Sequence, residues 1–239
     1  WGDDGSEKQS SSVVASITGV IFTMLIYMFI LIYGGMVMQG VMEEKTNRII
    51  EIMISSVKPF DLMMGKIIGI GFVGLTQVFL WAVMTFILIT GGTFFLGGGM
   101  ESEILQSSMA LNTTPNMTAI AAQQHGNEWI EMLHTINFTE IGILFIAYFI
   151  GGYLLYSSLF AAIGSAVDGQ EDTQQFMLPV TLLLVFALYA GIYSMENPDG
   201  PLAFWCSMIP FTSPIVMMVR VPFEVPLWEI LLSIGFLYI

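Results

Sequence analysis

The stretch HGNEWIEMLH contains residue types that support catalysis or metal binding. Four such residues recur there at every third position: His125, Glu128, Glu131 and His134. On a helix this spacing gives a polar stripe that drifts around the axis, and it lacks the histidine pair four residues apart that zinc hydrolases use. We interpret the stretch as a solvated polar face, with a metal site as the alternative.

Nucleotide and ion-coupling chemistry are also weakly represented. The dipeptide Gly65-Lys66 lacks the upstream glycine and the following Ser or Thr of a phosphate-binding loop, so we expect no ATP hydrolysis and no cofactor in this chain. The four longest apolar runs contain no Asp, Glu, Lys, Arg or His. Ion-coupled carriers and intramembrane enzymes usually place such groups at membrane depth, so these classes are disfavoured.

The composition predicts an integral membrane protein. Of the 239 residues, 55% are hydrophobic and only 10% are charged, whereas soluble domains carry about 25% charged residues. The net charge of −13 argues against nucleic acid as a partner, because phosphate binding needs a basic patch. The sequence has a single cysteine, so no disulfide forms within it.

The apolar runs predict an all-α, polytopic membrane fold with about five spans. Four runs are long enough for a helical span of about 20 residues, and a fifth is truncated. They are 13–40, 67–96, 141–163, 177–195 and 226–239. The apolar piece 202–222 contains Pro210, Pro214 and Pro222, so we expect two short re-entrant helices there instead of one straight span.

Basic residues are concentrated in one connection between spans. Segment 41–66 holds four of the six Lys and Arg residues, together with four acids. The positive-inside rule therefore places this segment in the cytoplasm. Alternation of the spans then places 164–176 inside, and it places the N-terminus of this sequence and segments 1–12, 97–140 and 196–225 outside.

Within this segment, EEKTNRIIEIMISSVK predicts an amphipathic helix that lies at the cytoplasmic membrane surface. Its Glu44 and Arg48 are spaced for an ion pair across one helical turn. Pro59 then favours the start of a new helix, with Asp61 in its first turn. A solvated loop held only by charge is the alternative interpretation.

The start of the next apolar run is rich in glycine. Gly65 and Gly69 stand at the GxxxG spacing, and small residues let membrane helices approach closely. The spacing predicts helix packing, either within this chain or between two copies of it.

The stretch MEEKTNRIIEIMISSVKPFDLMMGKIIG resembles the signature region of ABC type-2 exporter permeases, especially the sodium-export-like and multidrug-export-like branch. Later stretches follow the same order: AIGSAV with QEDTQQ, then PVTLLL, then PFTSPIVMMVR. The resemblance covers nearly the whole sequence. The residues at matching positions of the signature region are Glu43, Glu44, Lys45, Arg48, Glu51, Ser55, Ser56, Pro59, Gly65 and Lys66.

The resemblance implies a permease subunit that exports a substrate with energy from a separate cytoplasmic ABC ATPase, which would bind ATP and Mg²⁺. Segment 43–58 would be the coupling helix. The residues implied at the ATPase interface are Glu43, Glu44, Lys45, Arg48, Glu51, Ser55, Ser56 and Pro59. Of these, we expect Glu44, Arg48 and Glu51 to face the ATPase, with Ile49, Ile52 and Met53 toward the bilayer.

The resemblance also implies how the sequence fits into a larger assembly. The family core has six spans, and its first span and the extracellular domain after it are missing, so we expect a fragment. Segment 1–12 would be the tail of that extracellular part, and 13–239 would be the transmembrane domain. Two permeases would pair as a homodimer or heterodimer in a cell membrane, a bacterial inner membrane in the simplest case. The re-entrant region, with Pro210, Pro214 and Arg220, would lie near the outer gate.

Two other functions are compatible with the same residues. The first is a non-transporting membrane scaffold or sensor that docks a cytoplasmic partner through the 43–58 helix. The second is a membrane-embedded enzyme whose catalytic residues lie outside this sequence. Nothing in the sequence separates sodium, drug, lipid or peptide as the transported substrate.

Overall fold

The computed structural model describes residues 3–46, 58–92, 138–167, 170–223 and 225–239, and every regular element in these ranges is a helix. In chain order the α-helices are α1 (Asp3–Thr46), α2 (Pro59–Gly92), α3 (Phe138–Ala166), α4 (Gln170–Glu196), α5 (Pro201–Met208), α6 (Ser213–Arg220) and α7 (Leu227–Tyr238). A 3-10 turn, Val221–Phe223, follows α6. The all-α fold predicted from the sequence is therefore confirmed.

Four helices carry stretches long and apolar enough to cross a bilayer. These stretches are Val13–Thr46, Phe60–Gly92, Thr139–Ala166 and Asp172–Glu196. Three of them contain a run predicted from the sequence, namely 13–40, 141–163 and 177–195, and Phe60–Gly92 covers the predicted run 67–96 as far as residue 92. Helix α7 has 12 residues and is a shorter apolar helix. The chain is a multi-pass α-helical membrane protein.

The end of α1 differs from the sequence prediction. The helix continues through Thr46, past residue 40, where the predicted span ended. No proline interrupts 41–46, and a single glycine at position 40 costs a helix only about 1 kcal/mol. Glu44 and Lys45 therefore lie on the last turns of α1. The remainder of the predicted surface helix, 47–57, lies outside the described residues, as does most of segment 97–140.

Helix α2 begins at Pro59, as predicted, and has Asp61 in its first turn. Proline at this position loses no helical hydrogen bond, because the first amide groups of a helix have no partner within it. The chain divides into two compact units, Trp1–Phe72 with Ile136–Ile239, and Val73–Thr135. The first part of α2 belongs to the first unit, and its later, described part belongs to the second.

The close approach of α2 to a neighbouring helix is made at Gly71, not at the glycines predicted for it. A Cβ on Gly71 would lie 2.7 Å from the Tyr153 ring, whereas a Cβ on Gly65 or Gly69 would meet no described atom within 4 Å. The described residues supply no neighbour at Gly65 or Gly69, and helix packing at these two glycines stays a prediction. Spacing identified the glycine-rich face of α2 but not which glycine the neighbour reaches. A contact between two copies at these glycines stays a prediction.

The core of the first unit is the contact between α1 and α3, which run in the same direction. The residue numbers of the contacting pairs increase together along both helices, from Phe22 with Phe145 to Phe29 with Phe149. Further along, a Cβ on Gly34 would meet the Phe160 ring, and a Cβ on Gly164 would meet the Met38 carbonyl oxygen at 2.7 Å. Aromatic rings therefore fill the first half of the interface, and glycines let the two backbones approach in the second half.

Helices α5 and α6 form a short hairpin, hereafter the α5–α6 hairpin, in the region where the sequence predicted two short helices. Pro210 lies in its turn, and Pro214 stands in the first turn of α6, where proline is tolerated. All eight residues of α6 are buried. Thr23 of α1 donates to the Ile215 carbonyl at 3.1 Å, and a Cβ on Gly152 of α3 would meet Pro214. Helix α6 thus inserts between helices, whereas α5 keeps exposed side chains such as Trp205.

Three tyrosines on α3 connect it to three other elements. Tyr148 donates to the Ile230 carbonyl of α7 at 3.3 Å, and Tyr153 donates to the Ile67 carbonyl of α2 at 2.7 Å. Tyr156 donates to the Phe211 carbonyl in the turn of the α5–α6 hairpin. A buried phenol needs a hydrogen-bond partner, and each of these finds a backbone oxygen. Helix α3 is therefore hydrogen-bonded to α2, to the α5–α6 hairpin and to α7.

Candidate functional site

Polar side chains meet where α1 ends and α2 begins, a region we call the α1–α2 end. Lys66 Nζ lies 2.6 Å from Glu44 Oε1 and donates to the Gly40 carbonyl at 2.6 Å. The two side chains are 18% and 21% exposed, so water screens the pair and it contributes at most about 1 kcal/mol. Its main effect is geometric, because it fixes the start of α2 against the end of α1.

Glu44 therefore has a different partner from the one its local spacing suggested. The sequence paired it with Arg48, which lies outside the described residues. In the structure its carboxylate contacts Lys66 of α2. A rule based on neighbours within one helix cannot anticipate a cation that the fold brings from another helix. The expectation that Glu44 faces a partner protein is not tested by this contact, but the carboxylate has a partner within the chain.

Lys45, the next residue, extends toward α3. Its Nζ donates to the carbonyl oxygens of Ser165 and Val167, both at 3.1 Å. The last four carbonyls of an α-helix have no partner within the helix, and the negative end of the helix dipole lies there. A lysine from α1 thus caps the C-terminal end of α3. This role was not anticipated from the sequence, because a cap supplied by a distant segment leaves no local pattern.

The first turns of α4 reach the same place. Thr173 Oγ1 lies 3.3 Å from the Met42 sulfur, and both residues are buried. Three helices, α2, α3 and α4, therefore contact the last two turns of α1. The residue that follows these turns begins 47–57, the part of the predicted coupling segment 43–58 that lies outside the described residues.

Other charged side chains at the α1–α2 end are exposed and can face a partner. They are Glu43, Lys58, Asp61 and Asp172. Of the remaining predicted interface residues, Pro59 starts α2, and Arg48, Glu51, Ser55 and Ser56 lie outside the described residues. The stretch HGNEWIEMLH also lies outside them. Among the residues that are described, no three His, Cys, Asp or Glu side chains form a group suited to a metal ion.

A second polar cluster surrounds Arg220, the base predicted to lie in the re-entrant region. The side chain is 1% exposed. Its Nε donates to the Pro198 carbonyl at 2.7 Å, its Nη1 donates to Ser207 Oγ at 2.6 Å, and its Nη2 lies 2.9 Å from Glu229 Oε2. That carboxylate oxygen accepts no hydrogen bond of good geometry from the described residues, so we treat the contact as an ion pair. One guanidinium therefore joins α6 to α5, α7 and the loop after α4.

Three serine hydroxyls continue this cluster, hereafter the Arg220 cluster. Ser233 of α7 donates to the Ser207 carbonyl at 2.6 Å, and its Oγ lies 2.6 Å from Ser213 Oγ. Glu229 and Ser233 were not anticipated from the sequence. The signal was available, because an acid inside LWEILLSIGFLYI needs a partner at membrane depth, and Arg220 is the only base between 196 and 225.

Comparison with known proteins places these features in a family. The family model for the ABC-2 family transporter protein matches residues 4–239. The uncharacterised protein YhaP of Bacillus subtilis (strain 168) is 31% identical over 230 residues, which cover 95% of this chain and 48% of YhaP. The uncharacterised protein MJ1024 of Methanocaldococcus jannaschii is 26% identical over 230 residues, covering 96% of this chain and 46% of MJ1024.

The chain thus spans about half the length of these two curated relatives. No solved structure gives a significant match. Proteins of the matching family are transmembrane subunits that work with an ATP-binding subunit, and catalysis does not lie in the transmembrane part.

Proposed function

This chain belongs to the ABC-2 family of transporter proteins, and we propose that it is the permease part of an exporter driven by a separate ABC ATPase. The ATPase would hold ATP and Mg²⁺ and would dock at segment 43–58. Two permeases would assemble as a homodimer or heterodimer. The α1–α2 end would face the cytoplasm of the cell, and the N-terminus of this sequence would lie outside.

One observation supports the coupling role above the others, namely the convergence of helices at the last turns of α1. A force applied to segment 47–57 acts directly on Thr46. From there it can pass to α2 through the Glu44–Lys66 pair, to α3 through Lys45, and to α4 through the Met42–Thr173 contact. A segment that merely anchored a loop would need none of these connections.

The proposal is tested by co-purification in detergent of the full-length protein with the ATPase encoded beside it. Wild type is compared with Arg48→Glu, and we expect capture of the ATPase by wild type and loss of at least nine tenths of it in the variant. Arg48→Lys preserves the charge and should retain capture. Lys8→Glu is the matched control, because it makes the same reversal near the opposite end of α1.

Each alternative has its own outcome in this experiment. If wild type captures no ATPase, the exporter proposal fails and the scaffold or sensor becomes the better interpretation. If Lys8→Glu loses capture as completely as Arg48→Glu, the effect reflects net charge, and the docking role of segment 43–58 is refuted.

A further inference from the structure

We propose that Lys45 is a positioning residue that transmits movement of segment 47–57 to α3, without itself contacting the ATPase. This inference rests on the proposed function, since it concerns how the docking of an ATPase reaches the membrane helices. It assigns separate tasks to two neighbouring bases, docking to Arg48 and transmission to Lys45.

The geometry of Lys45 supports this division. Its Nζ is used within the chain, where it donates to the Ser165 and Val167 carbonyls. These oxygens belong to the last turn of α3 and the residue after it. The contact thus joins the penultimate residue of α1 to the end of α3, next to the point where segment 47–57 begins.

The hydrogen bonds of Lys45 lie just beyond the last close backbone contact described between the two helices. The close backbone contact between α1 and α3 reaches Gly164, whose Cβ position lies against the Met38 carbonyl. Beyond Gly164, Lys45 adds a polar connection from α1 to the end of α3. Loss of its two hydrogen bonds would weaken the attachment of the end of α1 to the end of α3.

Helix α3 can pass such a movement to other elements because its tyrosines hydrogen-bond to them. Tyr153 reaches α2, Tyr156 reaches the turn of the α5–α6 hairpin, and Tyr148 reaches α7. A shift of α3 along its axis would therefore displace the turn of the α5–α6 hairpin through the Tyr156 hydrogen bond. Helix α2, which the Glu44–Lys66 pair holds, has one such tyrosine contact to α3 and offers a less direct route.

The test uses hydrogen–deuterium exchange of the full-length permease with its ATPase, with and without a non-hydrolysable ATP analogue and Mg²⁺. In wild type, the analogue should change exchange at 160–167 of α3 and at 209–212 in the turn of the α5–α6 hairpin. Lys45→Met should retain full ATPase capture but lose the change at both places. Lys45→Arg, which can donate to the same two carbonyls, should restore it.

Lys8→Met is the matched control, because Lys8 lies near the opposite end of α1 from the docking segment 43–58. It removes the same charge and should behave as wild type. If Lys45→Met does not fold, Lys45→Gln replaces it, since its amide is an uncharged donor. For Gln we expect the nucleotide-induced change to fall by at least half.

Three results would overturn the inference. The first is a wild-type nucleotide response in Lys45→Met, and the second is loss of ATPase capture in that variant, which would place Lys45 in the docking surface. The third is wild-type capture without any nucleotide-induced change in α3. Failure of the proposed function is distinguishable from all three, because wild type would then capture no ATPase.

Discussion

Removal of the Arg220 guanidinium should destabilise the protein more than any other single change in a charged residue described above. Arg220→Met leaves Glu229 in a mostly buried site without its cation, and it leaves Ser207 and the Pro198 carbonyl without a donor. Breaking a buried ion pair by removing one partner costs about 3–5 kcal/mol. That is a factor of about 10² to 10⁴ in the folding equilibrium, since about 1.4 kcal/mol corresponds to a tenfold change.

The assay is thermal unfolding in detergent, followed by tryptophan fluorescence. Trp228 adjoins Glu229, and its ring lies 6.2 Å from Phe204 of α5, so its emission reports the Arg220 cluster. With a shift of about 2–4 °C per kcal/mol, the midpoint of Arg220→Met should fall by about 6–20 °C. Lys58→Met, at an exposed position, should change it by less than about 2 °C.

A double variant distinguishes an ion pair from simple loss of packing. Arg220→Met with Glu229→Met removes both charges, so no lone charge stays buried, and it should be more stable than Arg220→Met alone. The reasoning is refuted if the two substitutions add, with the double variant less stable than either single one. Additivity would mean that the two side chains contribute independently and that the 2.9 Å contact carries no coupling.

Two further predictions concern helix contacts. Gly34→Ala should lower the unfolding midpoint, because its Cβ would overlap the fully buried Phe160 ring, and overpacking costs about 1–3 kcal/mol. Gly35→Ala, where nothing lies within 4 Å, should leave the midpoint unchanged or raise it, and equal effects at the two glycines would contradict the described interface. In the hydrogen–deuterium exchange experiment described above, the ATP analogue should also change exchange at the start of α2. Glu44→Lys should weaken that change, and adding Lys66→Glu should restore at least half of it. A double variant no better than the single one would show that the 2.6 Å pair does not hold α2.

The sequence predicted the elements better than it predicted their ends and contacts. The start of α2 was predicted because Pro59 and Asp61 act within the first turn of their own helix. The continuation of α1 to Thr46 was not predicted. Lys45 holds the last turn of α1 against α3, and this contact joins residues 120 and 122 positions apart. Local signals thus predict the start of α2, whereas a contact between distant segments holds the last turn of α1 in place.

The same distinction applies to the candidate site. Composition identified segment 41–66, and the lone base of the region 196–225 identified Arg220. Their partners within the structure, Lys66 for Glu44 and Glu229 for Arg220, come from other helices. Charge counts show that opposite charges must pair in an apolar protein, but only the fold determines which ones do.

The three tyrosines of α3 have a consequence for how this sequence can vary. Each phenol donates to a backbone carbonyl, at Ile67, Phe211 and Ile230, and every residue type presents such an oxygen. The acceptor positions are therefore free to exchange one apolar side chain for another, whereas the donors are tied to residues with a long hydroxyl-bearing side chain. At these three hydrogen bonds the residue type is therefore constrained on α3 only. The neighbouring elements can change their side chains at the acceptor positions and keep the hydrogen bonds.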